Sequence, residues 1–308
     1  MAERGSGTTP AYTVFRPATA LGAMYGGAIV LGCAILGLGL LYRGLTMEVE
    51  LAQVGPLIAG AFFLALGALY AYWTWGCRSL RYVVDRNSLS IRWGGLRQVV
   101  PLANIERLIP AGEGENPQIA GVNWIGHHVG RADDAELGEV LFYSTHRTLN
   151  EVLYVQTPTE TYAVSPPDPV LFAQAVQANQ ARGPLFDQRQ AVHRWGIAAQ
   201  SFWLDPQARL LAVALIGAFV VVLGYVLEIY PGLADSVPLR FPSLAGIVRV
   251  SDKGALLDIP RSAAGFLALN LVLAVLLHSW ERMVAYVLLL AGIAIQVTLL
   301  VAAAVAVA

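Results

Sequence analysis

The chain has 308 residues, 56% of them hydrophobic and 13% charged, with a mean hydropathy of +0.57 and a net charge of −1. Ordinary soluble domains are about 25% charged, so this composition points first to a membrane protein. The near-neutral balance excludes a global field for nucleic acid or acidic ligands. Two cysteines, Cys33 and Cys77, are too few for a disulfide framework or a zinc site without histidine help, and are expected to be small apolar residues.

Five charge-free gaps meet or approach the roughly 20 residues that a membrane helix requires. They are 17–42, 51–77, 210–227, 262–280 and 283–308. The first, at 26 residues, is too long for the h-region of a signal peptide and is expected to remain attached. Residues 1–17 are expected to be a disordered N-terminus, because Met1–Thr9 ("MAERGSGTT") is small and polar. Residues 18–77 are then a transmembrane hairpin. In the first gap Gly22 and Gly26 form a G-x-x-x-G pair, extended by Gly32, Gly37 and Gly39, which favours close helix packing within the chain or between copies. Tyr70, Tyr72, Trp73 and Trp75 close the second gap, where amphipathic rings prefer the headgroup level.

Between the second and third gaps lies a segment of another character. Leu80–Val84 and Ser88–Trp93 alternate as strands around "DRN", a turn sequence, and "GG" at 94–95 leads into Leu96–Val100. Further strands are expected over 139–144, 149–157 and 161–164. Asp168 is an N-cap with Pro169 at the first helical position, and Leu171, Phe172, Ala175 and Val176 form the apolar stripe of a closing helix. Residues 78–182 therefore form a small antiparallel β-domain closed by one helix. Within it, 111–138 reads as a long loop.

Residues 183–209 are expected to be an interfacial or linker helix, because Val192, Trp195, Ala199 and Phe202 recur at helical spacing in "RQAVHRWGIAAQSFWLD". Residues 210–308 complete a three-helix bundle with an extracytoplasmic loop at 228–261. With the N-terminus inside, eleven basic residues flank the spans on the inner side and five on the outer. The positive-inside rule then puts the N-terminus and the β-domain in the cytoplasm and the C-terminus outside. The fold class is α+β: about five transmembrane helices with an inserted antiparallel β-domain.

Chemistry is sparse. There is no G-x-S-x-G elbow, H-E-x-x-H, Walker loop or dinucleotide turn, so an enzyme is not expected, and neither is a cofactor. Residues 78–209 hold twelve arginines against thirteen acids, so no dominant cationic bowl is expected. Arg78 and Arg81, with Trp195 and Trp203, are the candidate membrane-surface contacts; Arg92 and Arg97 add charge that anionic lipid attracts. His127 and His128, near Asp133, Asp134 and Glu136, invite a metal reading, but adjacent strand residues point to opposite faces and no metal is expected. A loop displaying Trp124, Ile125 and His128 to a protein partner fits better. Asn270 and Gln296 are the polar residues of the last two helices and are expected to hydrogen-bond between helices.

The stretch "YVVDRNSLSIRWGGLRQVVPLANIERL", followed by "VLYVQTPTETYAVSPPDPVLFAQAVQ", resembles the bacterial pleckstrin-homology-like (PH-like) domain of membrane proteins. Gly94, Gly95, Pro101, Leu102 and Ile105 match its turn and its Pro-Leu-x-x-Ile run; Ser165, Pro166, Asp168, Pro169 and Phe172 match the lead into its capping helix. The back half is similar to integral-membrane companions of that domain, and departs at Arg240 and Phe241, where relatives carry a histidine-containing pair. The resemblance implies an architecture rather than an activity. The expected role is a non-enzymatic binding or scaffolding protein, with affinity from sheet edges, apolar loop tips and the groove beside the closing helix. Its partners are then the bilayer and an unidentified protein, or a second copy of the chain, and no nucleic acid. A transporter or accessory transport subunit is the alternative.

Overall fold

The computed structural model describes residues 12–112, 117–134, 136–240 and 248–307. In chain order the elements are β1 (Tyr12–Phe15), α1 (Ala20–Thr46), α2 (Val54–Ser79), β2 (Arg81–Asp85), β3 (Ser88–Trp93), β4 (Leu96–Pro101) and β5 (Arg107–Pro110). Then come β6 (Ala120–Trp124), β7 (His127–Asp134), β8 (Gly138–Ser144), β9 (Leu153–Gln156), β10 (Thr161–Val164), α3 (Pro169–Arg182) and β11 (Ala191–Arg194). The chain ends with α4 (Pro206–Ile229), β12 (Ser236–Arg240), β13 (Val248–Asp252), α5 (Asp258–His278) and α6 (Arg282–Val307). Five of the helices are long and apolar enough to cross a membrane, as the charge gaps require.

The chain forms two compact units, 1–33 with 65–198 and 34–64 with 199–308. In the first, two sheets carry the β-structure, with strand orders β1-β2-β3-β4-β11 and β5-β9-β10-β8-β7-β6. Every pairing is antiparallel except β8 with β10. Alternation sets the faces: Tyr82 and Val84 of β2 and Leu89 and Ile91 of β3 are fully buried, and join Val155, Tyr162 and Val164 in one core. The closing helix is built as the caps dictate. The Asp168 carboxylate accepts from Leu171 N at 2.9 Å, and Phe172 and Val176 are fully buried. Leu171, expected in that stripe, is instead 52% exposed. The Gln180 side chain ties the helix end to the carbonyls of Leu102 and Ile105, at 2.8 and 3.0 Å.

Three sequence expectations give way here. Residues 1–17 include a strand: β1 pairs with β2, and Phe15, 4% exposed, packs edge-on against Phe172 at 5.2 Å. Met1–Thr9 lie outside the described residues. The segment 183–209 contains no long helix; β11 joins the edge of β4, and two short 3-10 turns, Gly196–Ala199 and Ser201–Leu204, follow it. Its apolar residues at helical spacing are also compatible with an edge strand, and the unpaired N–H and C=O groups of β4 decide between the two. The long loop 111–138 contains the β6–β7 hairpin, which turns at Ile125–Gly126 with Gly126 at φ 76°.

Gly22, Gly26 and Gly37 of α1 pack within the chain, whereas Gly32 and Gly39 face open space. A Cβ on Gly22 would lie 2.3 Å from the Gly126 carbonyl oxygen, and one on Gly26 would lie 2.2 Å from the Thr74 hydroxyl, both inside the first unit. Cys33 and Cys77 are free and buried. In the second unit α4, α5 and α6 share a core of Ala208, Leu215, Ala274, Ala285 and Leu289. The expected extracytoplasmic loop contains the β12–β13 hairpin. Phe241 lies outside the described residues.

Candidate functional site

The first unit contains a groove of about 310 Å3 between its two sheets. Leu96 and Gln98 come from β4 and Val192 and Arg194 from β11, facing Val129 and Arg131 of β7 and Tyr143 of β8. Strand alternation, which sends every second side chain of β4, β7 and β8 into the space between the sheets, lines the groove with the apolar Leu96, Val129 and Leu141 interspersed with the polar Gln98 and Arg131.

A hydrogen-bond network pins the groove. The Tyr162 hydroxyl donates to the Glu160 carboxylate and accepts from Gln98 Nε2 at 2.6 Å and Gln190 Nε2 at 2.7 Å. Gln98 is 2% exposed and belongs to the first sheet, whereas Tyr162 belongs to the second, so this contact links the sheets. Burial and the adjacent Glu160 carboxylate raise the Tyr162 hydroxyl above the ordinary phenol range. Burial likewise pushes Tyr143 up to about 12, aided by Glu160 and opposed by Arg194 and Arg131. Both phenols therefore stay protonated and serve as neutral hydrogen-bonding groups. Arg131 is paired with Glu139 at 2.7 Å, whereas Arg194 has no ion pair among the described residues.

The histidines behave as neutral core groups. His127 accepts from Trp93 Nε1 at 2.9 Å and packs edge-on against Trp124 at 4.7 Å. Burial, then the neighbouring His128, push its ring down to about 3. His128 stacks on His146 at 4.1 Å, meets Asn123 Oδ1 at 2.7 Å through Nδ1, and donates through Nε2 to the His146 carbonyl at 3.1 Å. His146 meets Ser144 Oγ at 2.8 Å, and burial, then the neighbouring His128, push it down to about 3. Asp134 is occupied with its own turn, accepting from Glu136 N and Leu137 N at 2.9 and 3.0 Å. Among the described residues no three or more His, Cys, Asp or Glu side chains gather at metal-binding distance.

These contacts correct the expected display of Trp124, Ile125 and His128. Trp124 donates to the Gly22 carbonyl at 2.9 Å and His128 is 5% exposed; only Ile125, 53% exposed, faces outward. Both edges of the first sheet's original hairpins are covered by the chain's own β1 and β11, so the expected free edges are not at β2 or β4. Phe172 and Val176 of the closing helix are fully buried in the core. Arg78 is exposed, Arg81 is half-buried, and Trp195 and Trp203 are 46% and 52% exposed.

In the second unit, the Gln296 amide donates to the Ala263 carbonyl at 2.8 Å and joins α6 to α5. Asn270 bonds within its own helix instead, to the Phe266 carbonyl at 2.9 Å, because a helix offers an acceptor four residues back. A polar cluster absent from the sequence reading sits where α4 begins, α5 ends and α6 begins. Asp205 caps α4 through Oδ1, and its Oδ2 accepts from His278 Nε2 at 3.0 Å and from Tyr286 at 2.5 Å. His278 Nδ1 meets Ser201 Oγ at 2.9 Å. These donors, the Tyr286 hydroxyl above all, hold the Asp205 carboxyl well below its usual range. The only sequence signal was Asp205 followed by Pro206, an N-cap pattern.

Residues 80–180 match the family model described as a bacterial PH domain. The matched stretch runs from β2 to the last turn of α3 and so contains all of the second sheet and the closing helix. No curated protein and no solved structure matches the chain.

Proposed function

We propose, from the premise that residues 80–180 form a bacterial PH-like domain carried between membrane helices, that the chain is a membrane-anchored binding protein whose domain takes an extended segment of a protein partner. The groove between β4–β11 and β7–β8 carries this reading. Its apolar side chains accept alternate side chains of an extended peptide, and its interspersed polar groups fix register. Arg194, which makes no ion pair among the described residues and lines the groove together with the neutral Tyr143 phenol and the Glu160 carboxylate, favours an acidic side chain at one position. The positive-inside bias supports a cytoplasmic domain, with the helices holding it at the inner face. Asn270 and Gln296, the polar groups that a transport pathway through the bundle is expected to reach, both bond to backbone carbonyls.

A photo-crosslinking residue placed at Val192 of the full chain in native membranes tests the proposal. The expected result is a discrete protein adduct that falls about tenfold with R194E, the equivalent of ~1.4 kcal/mol of binding. The same probe at Leu171, on the exposed face of α3, is expected to give no such adduct. Adducts that ignore R194E, or that form equally from Leu171, would remove the groove from the account.

A further inference from the structure

The outer face of the first sheet carries an alignment that strand pairing alone creates. Arg81 of β2 stands directly opposite Arg92 of β3, and Arg92 stands directly opposite Arg97 of β4. His193 of β11 extends the row as the cross-strand partner of Arg97. Direct partners share a face with Cβ atoms about 4.5–5.5 Å apart, and like charges so placed repel. The alternate residues Tyr82, Ile91 and Gln98 point into the core, so the three arginines must lie on the opposite face.

Among the described residues no acidic group compensates this row. None of the three arginines makes an ion pair among the described residues. Arg97 is held in place by hydrogen bonds to Ser90 Oγ at 3.2 and 3.0 Å, which supply no charge. The Nε–H groups of Arg81 and Arg92 are buried without an acceptor. Buried donors without acceptors and stacked like charges are both unfavourable, and a single anion with several oxygens relieves both.

The location says which anion. Arg81 follows the end of α2, at Ser79, by two residues, and Arg78 stands exposed in the last helical turn. The β3–β4 turn next to the row packs on the aromatic end of α2. The Gly94 N–H donates to Ser79 Oγ at 2.7 Å, and the Gly94 Cβ position lies 3.4 and 3.5 Å from Trp75 and Tyr72. Such rings mark the headgroup level of a bilayer. The arginine row therefore begins two residues beyond the aromatic end of α2.

We infer that Arg81, Arg92 and Arg97 form a site for the phosphate of an anionic phospholipid, which sets the first sheet against the membrane surface. This site lies on the face opposite the groove and does not depend on peptide binding. Its test uses the full-length protein in phosphatidylcholine nanodiscs, with or without phosphatidylglycerol, and a third sample in phosphatidylcholine with free inorganic phosphate. Native mass spectrometry reads lipid retention and tryptophan fluorescence reads Tm. Phosphatidylglycerol is expected to be retained and to raise Tm, and free phosphate to leave Tm unchanged. R92Q is expected to reduce retention about fivefold, matching ~1 kcal/mol for one arginine near an anionic surface. R92Q should also match or exceed the wild-type Tm in phosphatidylcholine alone, because it relieves repulsion, whereas R92K should keep most of the retention. Equal stabilisation of wild type and R92Q by phosphatidylglycerol, no stabilisation of either, or full replacement of the lipid by free phosphate would each overturn the inference. A lower R92Q Tm in phosphatidylcholine, with no lipid dependence, would make the row structural only.

Discussion

In the β-unit, Gln98, Tyr162, His127 and His146 lie in the interior, each 2% exposed or less, and bond to other side chains, the first three between the sheets and His146 locally to Ser144. In the α4–α6 bundle the interior is leucine and alanine; Asn270 and Gln296 bond to helix backbone, and the side-chain network gathers at one end around Asp205. The difference follows from where each element leaves its polar backbone groups. Facing sheets bring side chains of different strands together, so a buried polar group can bond another side chain as well as backbone, as the Tyr82 hydroxyl does in donating to the Tyr143 carbonyl at 2.6 Å. A helix offers carbonyls along its length, and lipid excludes the water that an unmatched group would otherwise use. Among the described residues the bundle's side-chain network accordingly lies at its helix ends, around Asp205.

That contrast can be broken at three places. The largest effect is expected from F172A, which removes a fully buried ring between Phe15 and Tyr82 and should destabilise the β-unit by about 3–5 kcal/mol. Hydrogen exchange should show lost protection in β2 and β10 and unchanged protection in α5 and α6; equal loss in both regions would mean that they unfold as one.

Next comes acid sensitivity. His127 is neutral when folded, pushed down to about 3, while the unfolded chain takes up a proton near 6.5. Its contribution to stability is complete above pH 6.5 and is lost progressively as pH falls toward 3, with an upper limit of about 1.4 kcal/mol per pH unit. H127Q retains an acceptor for Trp93 and should flatten the decline of Tm below pH 6.5; an unchanged acid limb would place the sensitivity elsewhere, with His146 the next group to replace.

The smallest effect is expected from D205N, which keeps the side-chain shape and a capping oxygen but removes the charge that His278 and Tyr286 approach. Tm should fall by several degrees at neutral pH. Because the Asp205 carboxyl is held low, the charge-dependent part is present above the ordinary carboxylate range and fades as pH falls through the folded value, so mutant and wild type should converge in acid. A constant gap at all pH values would assign the effect to the cap alone.

Several features were legible from residues alone. Charge gaps marked five spans, because a membrane helix must be apolar along its whole length. Asp168-Pro169 announced the start of α3 and the double glycine announced the β3–β4 turn, because capping and positive φ are local demands. The candidate site was less legible. Trp124 and His128 looked like display residues only because the pairing of β6 with β7 was not visible, and Val192 and Trp195 looked helical because an edge strand and an amphipathic helix share short apolar patterns.

Local chemistry in the sequence thus settled which segments are long and apolar enough to cross a membrane, where helices start and that a β-domain lies between them. Tertiary structure alone decided that β11 closes the groove, that three arginines stand in one row, and that Asp205 meets residues 73 and 81 positions away. Periodicity and capping act over a few residues, whereas strand register and helix-end contacts arise only when distant segments compete for the same unsatisfied hydrogen bonds and buried area.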